Sequence, residues 1–301
     1  MRGRQAASAP PVAVKHPAAD MPDAAAAEAE ARRGQLRERL RVGLWQLAIL
    51  VTFLGLWEGL TRIPWFKKNT IFDPFFISQP SQVAVKLWDW SFGAQAGFIW
   101  PHLGATLWAT FLGLVVGVGT GFLAGLLLSQ NRVLNKVLHP YIVATNSMPR
   151  IAFVPLITMV FGLGVVSKVV TAWFVVFFLV FFNAFKGAVS IDREMVDFCR
   201  TLGASPRQVT RNVRIPMALA WTFASLPNAV SFALIGVVIA EFVGSNFGMG
   251  HLIIVSLAML NASEMFAALV LLSLIGLVLV LLLRMVERRL LHWSNEFRDE
   301  V

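Results

Sequence analysis

Six stretches of this chain are apolar over lengths that soluble folds rarely carry: roughly residues 43–63, 104–128, 140–161, 169–186, 217–242 and 265–284. A bilayer has a hydrocarbon core about 30 Å thick, which takes roughly 20 helical residues to cross. The runs are near-continuous, with Gly and Pro inside them. A membrane barrel would instead alternate apolar and polar residues in segments of about ten. Composition agrees: 57% of the residues are hydrophobic and 14% charged, with mean hydropathy +0.68, whereas soluble domains carry about 25% charged residues. The expected fold is an all-α integral membrane protein of about six spans.

Charge orients the spans. The net charge is +9. In a membrane protein such an excess more simply marks cytoplasmic loops than a nucleic-acid partner, and none is expected. Six spans place both termini on one side of the bilayer. Most of the 26 Lys and Arg residues then share that side: those of the N-terminal tail, Arg132 and Lys136, the 186–216 stretch from Lys186 to Arg214, and Arg284 to Arg298. The opposite side holds Arg62, Lys67, Lys68, Lys86 and Lys168. Both termini of this multi-pass protein are therefore expected in the cytoplasm. Residues 1–35, rich in Ala, Pro and charge, read as a disordered cytoplasmic tail and not as a secretory signal. A membrane domain spans 36–293, with a short tail at 294–301.

Two spans carry local signals. The second has small residues at every fourth position, from Ala105 and Ala109 to Gly113, Gly117, Gly121 and Gly125. Such spacing lets a neighbouring helix approach closely, within the chain or in another subunit. The third holds Pro149 and Pro155, each lacking a backbone donor, and is expected to be kinked or broken.

The segment 187–216 is a long polar insert. Asp192 can cap a helix running through Leu202, and Gly203 suits the left-handed position that ends it. Ser205, Pro206 and Gln208 then form an N-cap, first turn and capping box. The second helix is expected to stop near Pro216. Met195, Cys199 and Leu202 share an apolar face on the first helix, which either rests on the protein's own spans or docks a partner.

This segment resembles the cytoplasmic signature loop of ATP-binding-cassette importer permeases, E-A-A-x3-G-x9-I-x-L-P. Asp197, Phe198 and Cys199 stand at the E-A-A positions, Gly203 at the glycine, and Val213, Ile215 and Pro216 at the I, L and P positions. Phe198 and Cys199 replace the alanines, and Ala220 stands where a second proline is common. Further stretches are similar to the nitrate/sulfonate/taurine branch: Ile77-Ser-Gln-Pro-Ser81, Met148-Pro-Arg-Ile-Ala-Phe-Val-Pro-Leu156, Val238-Ile-Ala-Glu-Phe-Val-Gly244 and Gly248-Met-Gly250. The resemblance covers about residues 75–293.

The resemblance implies a type I importer-like permease that works as a homodimer. Two copies of an ATPase would lie below it and a periplasmic solute-binding protein above. It implies an ATPase-coupling role for Asp197, Phe198, Cys199, Leu202, Gly203, Ala204 and Pro216. ATP and Mg would act through the partner ATPase. This chain has no nucleotide-binding motif and is expected to bind no cofactor and to catalyse no covalent step. The branch points to a small anion such as a sulfonate, taurine or nitrate.

Two charges within the spans are candidates for the translocation pathway. Glu241 could line it or pair with Lys168 or Arg150. Arg150, beside Pro149, could attract an anion or cap free carbonyls at the break. No metal site is expected from the five scattered histidines and single cysteine. The alternative is an ion-gradient-driven secondary transporter, for which Glu241 would be the only acidic basis.

Overall fold

The computed structural model of the chain describes residues 24–65 and 73–290. Every regular element among them is helical. The chain divides into two units, residues 1–59 and 60–301.

One long helix, α1 (Ala24–Arg62), forms the described part of the first unit and ends in the second. Residues 24–35, expected to be disordered, are its first turns. Their Ala, Glu, Gln and Arg content favours helix even without a core to pack on. The remaining tails, 1–23 and 294–301, lie outside the described residues. Side chains from Arg33 to Leu56 are exposed, including Leu44, Trp45, Leu47 and Phe53. Such a helix is stable when lipid replaces water around it.

The second unit begins with two short helices, α2 (Pro74–Ile77) and α3 (Pro80–Ser91). The long α4 (Ile99–Gln130) follows, then α5 (Arg132–Asn146), a 3-10 turn at Arg150–Phe153, and α6 (Val154–Phe161). Next come α7 (Val165–Val189), α8 (Arg193–Thr201) and α9 (Pro206–Val209). A π-helical segment, Thr210–Arg214, joins α9 to α10 (Ile215–Val243). The chain closes with α11 (Met249–Ala258) and α12 (Ala262–Leu290).

Among the described residues five helical stretches are long and apolar enough to cross a membrane: Arg33–Arg62, Ile99–Gln130, Val165–Val189, Pro206–Val243 and Ala262–Glu287. The expected third span, 140–161, is not one of them, because it breaks at Ser147–Pro149. At about 1.5 Å per residue, α5 and α6 are about 22 Å and 12 Å long, each too short to cross alone.

The glycine seam explains why the chain must nevertheless cross there. The row Gly113, Gly117, Gly121 and Gly125 on α4 meets Ala172, Val176, Val180 and Ala184 on α7, in the same order. A Cβ added at Gly113 would stand 2.3 Å from the Ala172 Cβ, and one at Gly117 would stand 2.7 Å from the Val176 Cβ. Two rows with four-residue spacing thus allow backbone-close packing, and the seam lies within the chain. Because matched residues advance together, α4 and α7 run parallel. The intervening 131–164 segment therefore returns the chain to its starting level as a discontinuous crossing.

The same row on α7 also meets α10: Ala172, Val176 and Val180 form one buried cluster with Ala229, Ala233 and Val237. A second cluster ties the start of α4 to α3, α11 and α12 through Val83, Trp90, Ile99, Leu103, Met249, Ile253 and Ala268. Lys86 pairs with Glu264 at 2.7 Å, and the Ser78 and Ser263 hydroxyls lie 2.9 Å apart. Both ends of the 244–262 connection therefore sit at the same level, and α11, about 15 Å long, does not cross.

Candidate functional site

The two ends of this bundle carry different chemistry. At one end α8 and α9 form the expected helix–turn–helix. Asp192 stands at the N-cap of α8 without a side-chain capping bond. The helix stops at Thr201 with Leu202 as its C-cap, and Gly203 takes φ +86°. The Gly203 N–H donates to the Arg200 carbonyl at 2.9 Å and the Ala204 N–H to the Cys199 carbonyl at 3.0 Å. This crossed pair is the Schellman arrangement, in which glycine avoids the steric cost of a left-handed backbone. Ser205 and Gln208 then complete a capping box: the Ser205 N–H donates to Gln208 Oε1 at 2.7 Å, and the Gln208 N–H to Ser205 Oγ at 3.4 Å.

The second helix does not stop near Pro216, as the sequence led us to expect. It continues through the π segment into the span as one run, Pro206–Val243. Proline lacks an N–H, and its ring crowds the carbonyl four residues earlier, here Asn212. Widening the ladder relieves this: the Ile215 N–H reaches back five residues to the Thr210 carbonyl. The second helix of the helix–turn–helix is thus continuous with α10, and only the Leu202–Ser205 turn separates α8 from that span.

The expected coupling residues divide between structure and surface. Gly203 and Ala204 build the turn, and Pro216 sets the π segment. Met195, Phe198 and Leu202 are exposed, Leu202 to 73%, while Cys199 is half-buried. The outward apolar stripe is therefore Met195, Phe198 and Leu202, with Phe198 taking the more exposed place expected for Cys199. Asp197 is exposed and pairs with Arg200 at 3.4 Å, one turn along.

At the opposite end Glu241 is 1% exposed. Its carboxylate accepts from Lys168 Nζ at 3.0 Å, from Thr106 Oγ1 at 3.0 Å and from the Gly250 N–H at 2.7 Å. Lys168, expected on the outer surface, is instead buried in α7, where it also donates to the Phe247 carbonyl. Thr106 Oγ1 in turn accepts from the Met249 N–H at 2.9 Å. The His102 Nδ1 lies 3.2 Å from the Gly248 nitrogen, and its ring stacks on Phe247 at 4.0 Å between centroids. Glu241 thus neutralises both a lysine and the positive N-terminal end of α11.

This arrangement explains the glycines that the sequence motif contains. Gly248 has φ +128°, and a Cβ there would stand 2.0 Å from Glu241 Oε1. A Cβ at Gly250 would stand 2.6 Å from the Val238 carbonyl oxygen. Of the partners proposed for Glu241, the structure brings Lys168 and not Arg150. His102 and Thr106 escaped the sequence reading. Their signal was two polar residues one helical turn apart in an apolar span, the spacing that puts both on one face.

Arg150 lies elsewhere, at the break between α5 and α6. Its guanidinium stands 5.4 Å from the Phe178 ring centroid and 5.8 Å from that of Phe182. Aromatic faces stabilise such a cation where water is scarce. Among the described residues no group of three or more His, Cys, Asp or Glu side chains converges at metal-ligand spacing.

Residues 117–292 match the family model of the binding-protein-dependent transport system inner membrane component. The chain belongs to that family. A probable ABC transporter permease protein of Haemophilus influenzae is 33% identical over 77% of this chain and 91% of its own length. The riboflavin transport system permease protein RibX of Chloroflexus aurantiacus is 32% identical, over 73% of this chain and 81% of its own. The taurine transport system permease protein TauC of Escherichia coli is 26% identical, over 88% and 94% respectively. The chain is a permease subunit of an ATP-binding-cassette importer, and not itself an enzyme. A separate ATPase subunit hydrolyses ATP, and family membership implies a solute-binding protein as a further partner.

Proposed function

We propose that two copies of this permease subunit form the pathway of an inner-membrane importer for a small anion, with an ATPase dimer docked on α8. The observation that carries the docking is the α8–α9 turn. It presents Met195, Phe198 and Leu202 outward while its own backbone is closed by a Schellman turn and a capping box. A rigid, exposed apolar stripe continuous with a span is suited to receive motion and pass it on. ATP-driven closure of the ATPase dimer would shift α8, and differential contact at this segment would bias the pathway between inward-open and outward-open states.

Orientation follows from charge. Lys136, Lys186, Arg200, Arg207, Arg211 and Arg214 gather at the end that carries α8, which favours the cytoplasm for that end and for both termini. At the other end Lys168 and Lys86 are neutralised by Glu241 and Glu264.

The solute is proposed to be a small organic or inorganic anion of the sulfonate, taurine or nitrate class. Arg150, at a break that lines a discontinuous crossing, is the cation we assign to the pathway. Glu241 is better placed to hold the far end shut as a unit, because its carboxylate is engaged on three sides. That engagement also leaves the ion-gradient reading without its acidic relay. The riboflavin permease relative makes a planar aromatic solute the competitor to test.

Recovery of the detergent-solubilised chain from its native membrane should bring down an active ATPase. Asp197→Lys and Gly203→Pro should lower that recovery and abolish solute uptake without reducing membrane insertion. Normal uptake by both variants would overturn the coupling assignment. Uptake of riboflavin in preference to taurine or nitrate by the reconstituted importer would overturn the anion.

A further inference from the structure

Where α4 ends and α8 begins, the structure forms a cavity of about 610 Å³. Its walls come from the last turn of α4, from α5, from the inner side of α8 and from the π segment. Three cations line it, Lys136, Arg200 and Arg214, together with the neutral polar residues Ser129, Asn135 and Thr210. Asp197 is the one carboxylate among the lining residues, and it is already paired with Arg200. Among the described residues neither Lys136 nor Arg214 has a carboxylate within ion-pair distance. The cavity therefore keeps two uncompensated positive charges beside hydroxyl and amide groups.

We infer that this cavity binds a phosphate-bearing anion at the cytoplasmic face, with Lys136 and Arg214 as its cations and Ser129, Asn135 and Thr210 as hydrogen-bonding partners. The inference rests on the orientation proposed above, which places α8 in the cytoplasm. Three features favour phosphate over a simple carboxylate. Two cations suffice to neutralise a phosphodiester, which carries one negative charge, or a free phosphate, which carries between one and two. Arginine presents a donor fork that fits its oxygens. The ends of α4 and α7, at Gln130 and Val189, also put the cavity at the depth of lipid headgroups, where basic pockets between spans collect anionic lipids. A phospholipid phosphodiester and a free phosphate share this chemistry. Because one wall is the inner side of α8, an occupant would brace the coupling helix against α4 and α5.

The test uses the full chain, co-purified with its ATPase and placed in nanodiscs of mixed phosphatidylcholine and phosphatidylglycerol. After washing in detergent, the retained lipid is quantified by mass spectrometry. Wild-type protein should retain phosphatidylglycerol over phosphatidylcholine. Lys136→Gln/Arg214→Gln should lose that preference by about twenty-five-fold, the product of about fivefold per cation. Lys136→Arg/Arg214→Lys, which keeps the charge, should retain it. In phosphatidylcholine alone, a saturable rise in Tm on titrating inorganic phosphate, absent from the neutral variant, would assign the site to free phosphate. Equal lipid retention in all three proteins with no phosphate response would overturn the inference. So would loss of the ATPase from the neutral variant with lipid preference unchanged, since the cations would then belong to the protein interface. Lipid preference in an importer that takes up riboflavin in preference to taurine or nitrate would leave this site standing and overturn the proposed solute.

Discussion

Glu241 and Lys168 meet 3.0 Å apart in a part of the protein where neither could be solvated. A buried pair of this kind contributes little net stability compared with apolar residues, but removing one partner leaves an uncompensated charge, at a cost of about 3–5 kcal/mol. Lys168→Ala should therefore destabilise the protein by about that amount, measured by reversible unfolding in detergent or bicelles. The double variant Lys168→Ala/Glu241→Ala should cost less than the two single changes summed. Strict additivity would mean that the two side chains do not interact. At Gly248 the constraint is geometric: an alanine would combine a positive φ with a Cβ 2.0 Å from a carboxylate oxygen. That residue belongs to the loop that brings the start of α11 under Glu241.

At the scale of elements, the α4–α7 pair holds the bundle together through glycines that are not equivalent. Gly117 faces the Val176 side chain, whereas nothing lies within 4 Å of a Cβ built at Gly119. Gly117→Leu should therefore force the helices apart, costing about 1–3 kcal/mol or more and lowering the yield of folded protein. Gly119→Leu, on the same helix, should change stability by no more than about 0.5 kcal/mol. Thermal melts of the two variants side by side decide the matter, and equal destabilisation would contradict the seam. The π segment is the other element with a specific cause. It accommodates Pro216 and lets α9 pass into α10 without a loop.

Over the whole molecule, parallel α4 and α7 require a return crossing between them, and the broken α5–α6 segment supplies it. This restores the parity that six spans would have and keeps the α8 end on the side favoured by the basic residues. Cys199, the single cysteine, reports on that arrangement. A membrane-impermeant maleimide should label it in inside-out vesicles and not in intact spheroplasts, and Cys199→Ser should remove the signal. Labelling from the outside would invert the proposed topology. Bound ATPase should slow the labelling, because Cys199 adjoins the stripe of Phe198 and Leu202.

Much of this protein was legible in the order of its residues. Apolar run length reports membrane crossing because the bilayer has a fixed thickness. Ser205, Pro206, Gln208 and Gly203 report the α8–α9 turn because capping and left-handed backbone are local chemistry, decided within a few residues. The same locality led to error where distant residues intervene. Pro216 looked like a helix end, but a wider ladder absorbed it. Lys168 looked like a surface charge, but Glu241, 73 positions away, drew it inside. The broken third span was foreseen from Pro149 and Pro155, and the parallel packing of α4 on α7 is what still requires the chain to cross there although neither α5 nor α6 is long enough alone. Thr106, His102 and Gly250 join Glu241 because three helices and a loop converge there, a relation set by tertiary packing that no spacing along the chain encodes.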